Sequence, residues 1–119
     1  MDKNITGKNI TRWEKYDIDL GEVELNKPVT NRIKCTQNPD LIDYVYAKCS
    51  CSDPSILIDE EGNKELKVIY TAYDKGDISR YIYVKLDPEI PEYTKDENNK
   101  RITNPLLRIV RFHITGKCI

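Results

Sequence analysis

The sequence lacks any apolar run long enough to cross a bilayer. Its longest, Ile56-Leu57-Ile58 and Leu106-Leu107 among them, fall far short of the ~20 residues a spanning helix needs, so a water-soluble chain is expected. It also lacks an excess of either charge. Lys and Arg (19) stand against Asp and Glu (20), giving a formal net charge of -1. No global field draws such a chain to nucleic acid or to an anionic membrane, and neither is expected as a partner. Helical periodicity is missing too, since no long window keeps apolar residues at i, i+3, i+4 and i+7.

Catalytic groups are equally sparse. There is one histidine, one tryptophan and one phenylalanine. No Ser-His-Asp order, phosphate-cradling glycine loop or clustered carboxylate pair is present. The acids fall in turns, where solvated charge is ordinary. No catalytic residue and no cofactor is therefore expected, and the chain does not read as an enzyme.

What is present is alternation. A chain of 119 residues holds one core of ordinary size, and burial alone stabilises it without staples. Trp13, Tyr16, Ile18 and Leu20 open the ordered part, with Gly21 as a bend or bulge. Val29, Asn31, Ile33 and Cys35 share a strand face, and Asn38-Pro39-Asp40 makes a turn. From Leu41 to Cys49, Val45, Ala47 and Cys49 lie on one side and Ile42, Tyr44 and Tyr46 on the other. Ile56 and Ile58, then Leu66, Val68 and Tyr70, form further strands, and Tyr73 to Asp77 reads as a hairpin loop. The clearest strand places Ile78, Arg80, Ile82, Val84 and Leu86 on one face and Tyr81, Tyr83 and Lys85 on the other. Leu106, Val110, Phe112 and Ile114 form the last. About seven antiparallel strands between turn signals predict an all-β, immunoglobulin-like β-sandwich. Trp13, Ile33, Val45, Val68, Ile82, Val84, Val110 and Phe112 are its expected core.

Two segments do not alternate. Residues 1-12 form a polar N-terminal arm that repeats Lys-Asn-Ile-Thr at Lys3 and Lys8, ahead of a domain spanning 13-119. Residues 87-105 are a charged insertion loop bounded by Pro88 and Pro105. Their apolar residues, Ile5, Ile10, Ile90, Tyr93 and Ile102, are the candidate anchors on a protein partner, with the surrounding charge as a rim. The eight tyrosines exceed what a small core hides, and this residue type favours contact surfaces.

The N-terminus, Met1-Asp2-Lys3-Asn4-Ile5, has no apolar h-region, so production in the cytoplasm is expected, with thiols reduced. Cys49 and Cys51, read as strand residues, point to one side, where Cys35, Cys118 or His113 could complete a tetrahedral thiolate site. Structural zinc sites usually draw their pairs from turns with two to four residues between, and no second close pair exists. Unbridged, metal-free cysteines are therefore the expectation. His113 alternates opposite Phe112 and is expected to face solvent.

Leu20-Gly21-Glu22-Val23, Ala47-Lys48-Cys49-Ser50-Cys51-Ser52-Asp53-Pro54, Leu66-Lys67-Val68-Ile69-Tyr70 and Phe112-His113-Ile114-Thr115-Gly116 carry a resemblance. From Leu20 onward the chain resembles the bacterial immunoglobulin-like domains of the Hydin and major-sperm-protein superfamily that bear a Cys-Gly-Cys-Thr signature. Ser50 and Ser52 replace the Gly and Thr of that signature, and Glu61-Gly62-Asn63 replaces a Pro-Gly. The resemblance implies a sandwich used for binding or scaffolding, with no catalytic residues to carry over. Domains of this kind also look like auxiliary, or decoration, subunits of tailed-phage capsids. The leading expectation is thus a structural subunit of a phage virion, with the major capsid protein as partner. A bacterial cell-envelope or adhesion module is the alternative, and a thiol or zinc-binding protein the third.

Overall fold

The computed structural model describes residues 10-119. Ten strands form in chain order: β1 (Arg12–Trp13), β2 (Asp17–Val23), β3 (Val29–Gln37), β4 (Ile42–Ala47), β5 (Ser52–Ile58), β6 (Lys64–Tyr70), β7 (Gly76–Leu86), β8 (Tyr93–Lys95), β9 (Arg101–Thr103) and β10 (Ile109–Cys118). A 3-10 turn, Pro39–Leu41, joins β3 to β4. Two four-stranded sheets, ordered β1-β3-β6-β5 and β2-β10-β7-β4, face each other, and β8 and β9 pair as a separate hairpin. Taking β1 and β2 as one interrupted first strand, this is the seven-strand order of an immunoglobulin-like sandwich.

One pairing departs from the antiparallel expectation. The chain leaves the first sheet after Trp13, crosses to the second, and there β2 runs parallel to β10. Gly21 interrupts this ladder. Its φ of 66° lies in the left-handed region, and the register shifts beside it between Thr115 and Lys117. This is the bulge expected at that glycine. Opposite it, a Cβ on Gly116 would lie 2.9 Å from the Gly21 carbonyl oxygen.

The core lies where the alternation put it. Ile33, Ile82, Val84 and Phe112 are fully buried, as are Trp13 and Val68 to within a few per cent, while Val45 and Val110 are half-buried against the same cluster. Trp13 meets Phe112 edge to face at 5.0 Å, and Tyr16 stacks on the same ring at 5.8 Å. The indole N–H of Trp13 donates to Thr11 Oγ1 at 2.9 Å, which explains a buried threonine so close to the first strand. Thr11 and Arg12, placed by sequence in the arm, therefore belong to the sandwich. Tyr73 to Asp77 is not a hairpin loop: residues 71-75 link β6 in one sheet to β7 in the other, and Gly76 and Asp77 already belong to β7.

Candidate functional site

The outer face of the β2-β10-β7-β4 sheet is a grid set by register. Tyr46 pairs with Tyr83, which pairs with Arg111; Tyr81 pairs with His113, which pairs with Asp17. Because side chains repeat every second residue, the expected outward face of β7 becomes a continuous aromatic stripe. Tyr46 stacks on Tyr83 at 5.2 Å, Tyr83 meets Tyr81 at 6.5 Å, and Tyr81 stacks on the His113 ring at 4.5 Å. Lys48 lies over Tyr83 at 5.0 Å and Arg111 over Tyr81 at 4.5 Å. His113 lies on the outer face opposite the buried Phe112, as expected, half-buried within the stripe and with Nε2 bonded to Ser79 Oγ at 2.8 Å.

Beyond the end of this stripe the insertion between β7 and β10 rises as a finger. The expected loop at 87-105 contains the β8–β9 hairpin, and all six of its strand residues are exposed. Asp96 closes the tip: its Oδ1 accepts from the Asn98 and Lys100 amides, and its carbonyl accepts from the Asn99 amide. Tyr93 carries Arg101 at 3.8 Å on one face, while the register puts Ile102 opposite Thr94 on the other face. Ile90 is half-buried at the base.

The base is rigidly tied. Asp87, at φ 58°, receives Arg108 through two bonds of 2.7 Å, and that guanidinium holds the Asp87 carboxyl below its usual range. Lys85, 2% exposed, donates to Asp43 at 2.8 Å and to the carbonyls of Leu86 and Asp87 at 3.1 Å. The Tyr44 hydroxyl bonds to Glu92; desolvation first, and then that carboxylate, push the phenol up and keep it protonated. Sequence reasoning missed Lys85 and Asp87 as site-forming residues. The signal available was a Lys-Leu-Asp-Pro junction between a strand and a charged stretch, which reads as plain solvated charge.

The β3–β4 turn lies at the same end of the sandwich. Asp87 donates its amide to the Leu41 carbonyl at 2.8 Å, and Asn38 Nδ2 donates to the Ile10 carbonyl at 2.9 Å. Ile10, 38% exposed, therefore enters the domain beside the finger's base. Ile5 lies outside the described residues.

The cysteines differ from expectation. Cys49 and Cys51 are disulfide-bonded, with Cα atoms 5.2 Å apart. β4 ends at Ala47, and the pair flanks a turn closed by the Ser52 amide on the Cys49 carbonyl at 3.2 Å, so strand geometry does not apply to it. Cys35 and Cys118 are free, half-buried and buried respectively, and burial raises the Cys35 thiol. Among the described residues no three His, Cys, Asp or Glu side chains gather as a metal site.

No family model matches the sequence, and no curated protein matches it. Solved structures match its shape. A structure described as "ASH / PapD-like domain of human CEP192 (PapD-like domain 7)" superposes with a TM-score of 0.54 at 13% identity, covering 100% of this chain and 93% of that one. "Structure of mouse clustered PcdhgC3 EC1-3" gives 0.56 at 7% identity, covering 96% of this chain and 34% of that one. "GspB Siglec domain" gives 0.49 at 14% identity and 92% coverage of this chain, which spans 58% of that longer chain. At these identities the likeness to the first two shows the fold alone, an immunoglobulin-like β-sandwich.

Proposed function

We propose that this chain is a non-catalytic binding module that joins a larger protein assembly through the end carrying the β8–β9 finger. The observation behind this is a contrast. A two-stranded hairpin in water is at best marginally stable, yet here it projects with every strand residue exposed, above a base held by Asp87–Arg108 and Lys85–Asp43. Buried ion pairs cost desolvation that a simple short loop would avoid. A preorganised finger reduces the ordering cost of docking, and the exposed Tyr93 and Ile102 are the apolar residues it would offer a partner.

In its specific form the proposal is a phage virion auxiliary subunit seated on the major capsid protein, with the resemblance to Cys-Gly-Cys-Thr immunoglobulin-like domains as its support. The arm, shortened to the residues before Thr11, would be its second contact in the virion. The Cys49–Cys51 bond favours a second reading, a cell-envelope or adhesion module, because such bonds persist in oxidising compartments.

The experiment is a shortened finger. Replacing residues 93-103 by a two-residue Asn-Gly turn is expected to leave the thermal midpoint of the sandwich unchanged while abolishing incorporation into capsids assembled with the major capsid protein. Normal incorporation of the shortened protein overturns the reading.

A further inference from the structure

We infer that the Cys49–Cys51 bond is a thiol–disulfide exchange site, with Cys49 the attacked sulfur, acting on acidic peptide dithiols. The inference is independent of the binding role of the finger.

The bond does not hold the fold. Disulfides stabilise chiefly by closing long loops of the unfolded chain, whereas this one spans a single residue, Ser50, inside a turn that the Ser52 amide already closes on the Cys49 carbonyl. Ladders on both sides run without it: β4 is paired along β7 and β5 along β6.

Access is asymmetric. Cys51 is 7% exposed, while Cys49 is half-buried and opens into a shallow cleft of about 540 Å³ that it shares with Lys48, Arg80, Tyr81 and Tyr83. In this cleft an incoming thiolate meets Cys49 next to Lys48, Arg80 and the end of the aromatic stripe; a second, smaller cleft of about 140 Å³, lined by both cysteines, carries Asp74 and Asp77 beside Lys75, and these acids leave the first cleft as the entry for an anionic thiol. Lys48 and Arg80 favour a negatively charged thiol, and they favour Cys49 as the thiolate expelled when the mixed disulfide is resolved. The Cys51 amide already donates to Cys49 Sγ at 3.2 Å, which adds to that preference. Cys51 Sγ lies 3.9 Å from the Ser52 hydroxyl.

The chemistry balances in two steps. A partner thiolate attacks Cys49 Sγ, forming a mixed disulfide; the Cys49–Cys51 bond breaks and its electron pair leaves on Cys51 Sγ, which takes a proton from solvent. The partner's second thiolate then attacks the partner's own sulfur in the mixed disulfide and expels Cys49 as a thiolate. The partner dithiol ends as a disulfide, having lost two electrons, and the chain carries them as the reduced pair. Transfer of those electrons to another peptide disulfide by the reverse steps restores the bond.

The test uses the full chain with Cys35→Ser, and glutathione as the probe, an acidic peptide thiol. In the Cys51→Ser variant, oxidised glutathione is expected to add to Cys49, located by peptide mass mapping, and Lys48→Gln with Arg80→Gln is expected to slow the addition about tenfold. With both cysteines present, reduced glutathione buffer is expected to open the pair to alkylation under native conditions while the circular dichroism of the sheets is unchanged. The inference is overturned if Cys49 gains no glutathione, if the charge variants react at the parent rate, or if the pair opens only when the sandwich is unfolded.

Discussion

Nζ of Lys85 lies 2.8 Å from Oδ2 of Asp43 on the outer side of a sheet, yet this lysine is 2% exposed. The chain after Leu86 folds back over it, and two carbonyls complete its shell. A buried ammonium with one carboxylate and two carbonyls is satisfied only while all remain in place.

Asp43→Ala should therefore be costly, because it strands a buried charge: a loss of about 3 kcal/mol is expected. Lys85→Met, which removes the charge and keeps the stem, should cost much less. Urea unfolding of both variants checks this, and equal losses would mean that the stem, not the ion pair, matters.

Gly116→Ala should destabilise the parallel edge. Its Cβ would sit 2.9 Å from the Gly21 carbonyl oxygen and 3.0 Å from Leu20 Cβ, so backbone must move, at about 1 to 3 kcal/mol. Gly62 has open space around it but φ 84°, so Gly62→Ala should cost about 1 kcal/mol from backbone conformation alone. Thermal midpoints rank the two, and a Gly116→Ala protein as stable as the parent would contradict the close approach.

Asp87 supplies a pH dependence. Its folded-state pKa is lowered, first by the hydrogen bond from Arg108, so its contribution is present above its unfolded pKa of about 4 and is lost as pH falls through the folded value. Asn tolerates the left-handed backbone at this position. Asp87→Asn should thus remove about 1 to 2 kcal/mol at neutral pH, discounted for the partly exposed Arg108, and flatten the loss of stability below about pH 4. An unchanged acid slope would place the titrating group elsewhere.

Phe112→Ala opens the core where Trp13 and Tyr16 meet the same ring. A loss of about 3 to 5 kcal/mol is expected, with the tryptophan fluorescence of Trp13 shifting red as its neighbour disappears. A smaller loss with an unshifted spectrum would show that the two tyrosine and tryptophan rings close the gap.

The sandwich was legible wherever one face is buried and the other wet. Ile78, Ile82, Val84 and Leu86 against Tyr81 and Tyr83 is a period of two that burial enforces, and Gly21 marked its own bulge. Less was legible where hydrogen bonding between charged groups replaces apolar burial. Lys85 falls on the outward face by alternation and is nonetheless covered, because the cover comes from a segment with no hydrophobic pattern of its own. The same absence hid the finger, whose strands are exposed on both faces and so never alternate. Cys49 and Cys51 were placed on a strand because nothing local distinguishes the end of β4 from the turn that follows.

The parallel edge also imposes an order of events during synthesis. Among the described residues β2 pairs with β10 alone, and Asp17 cannot meet His113 until nearly the whole described chain has been made. At ribosomal speed that leaves β2 waiting for seconds with Ile18 and Leu20 uncovered. Its acids, Asp17, Asp19 and Glu22, keep this waiting strand from templating a neighbour's sheet. A nascent chain stopped short of β10 lacks the one strand that joins β2 to β7, so among the described elements the second sheet is complete only when the last strand has been made.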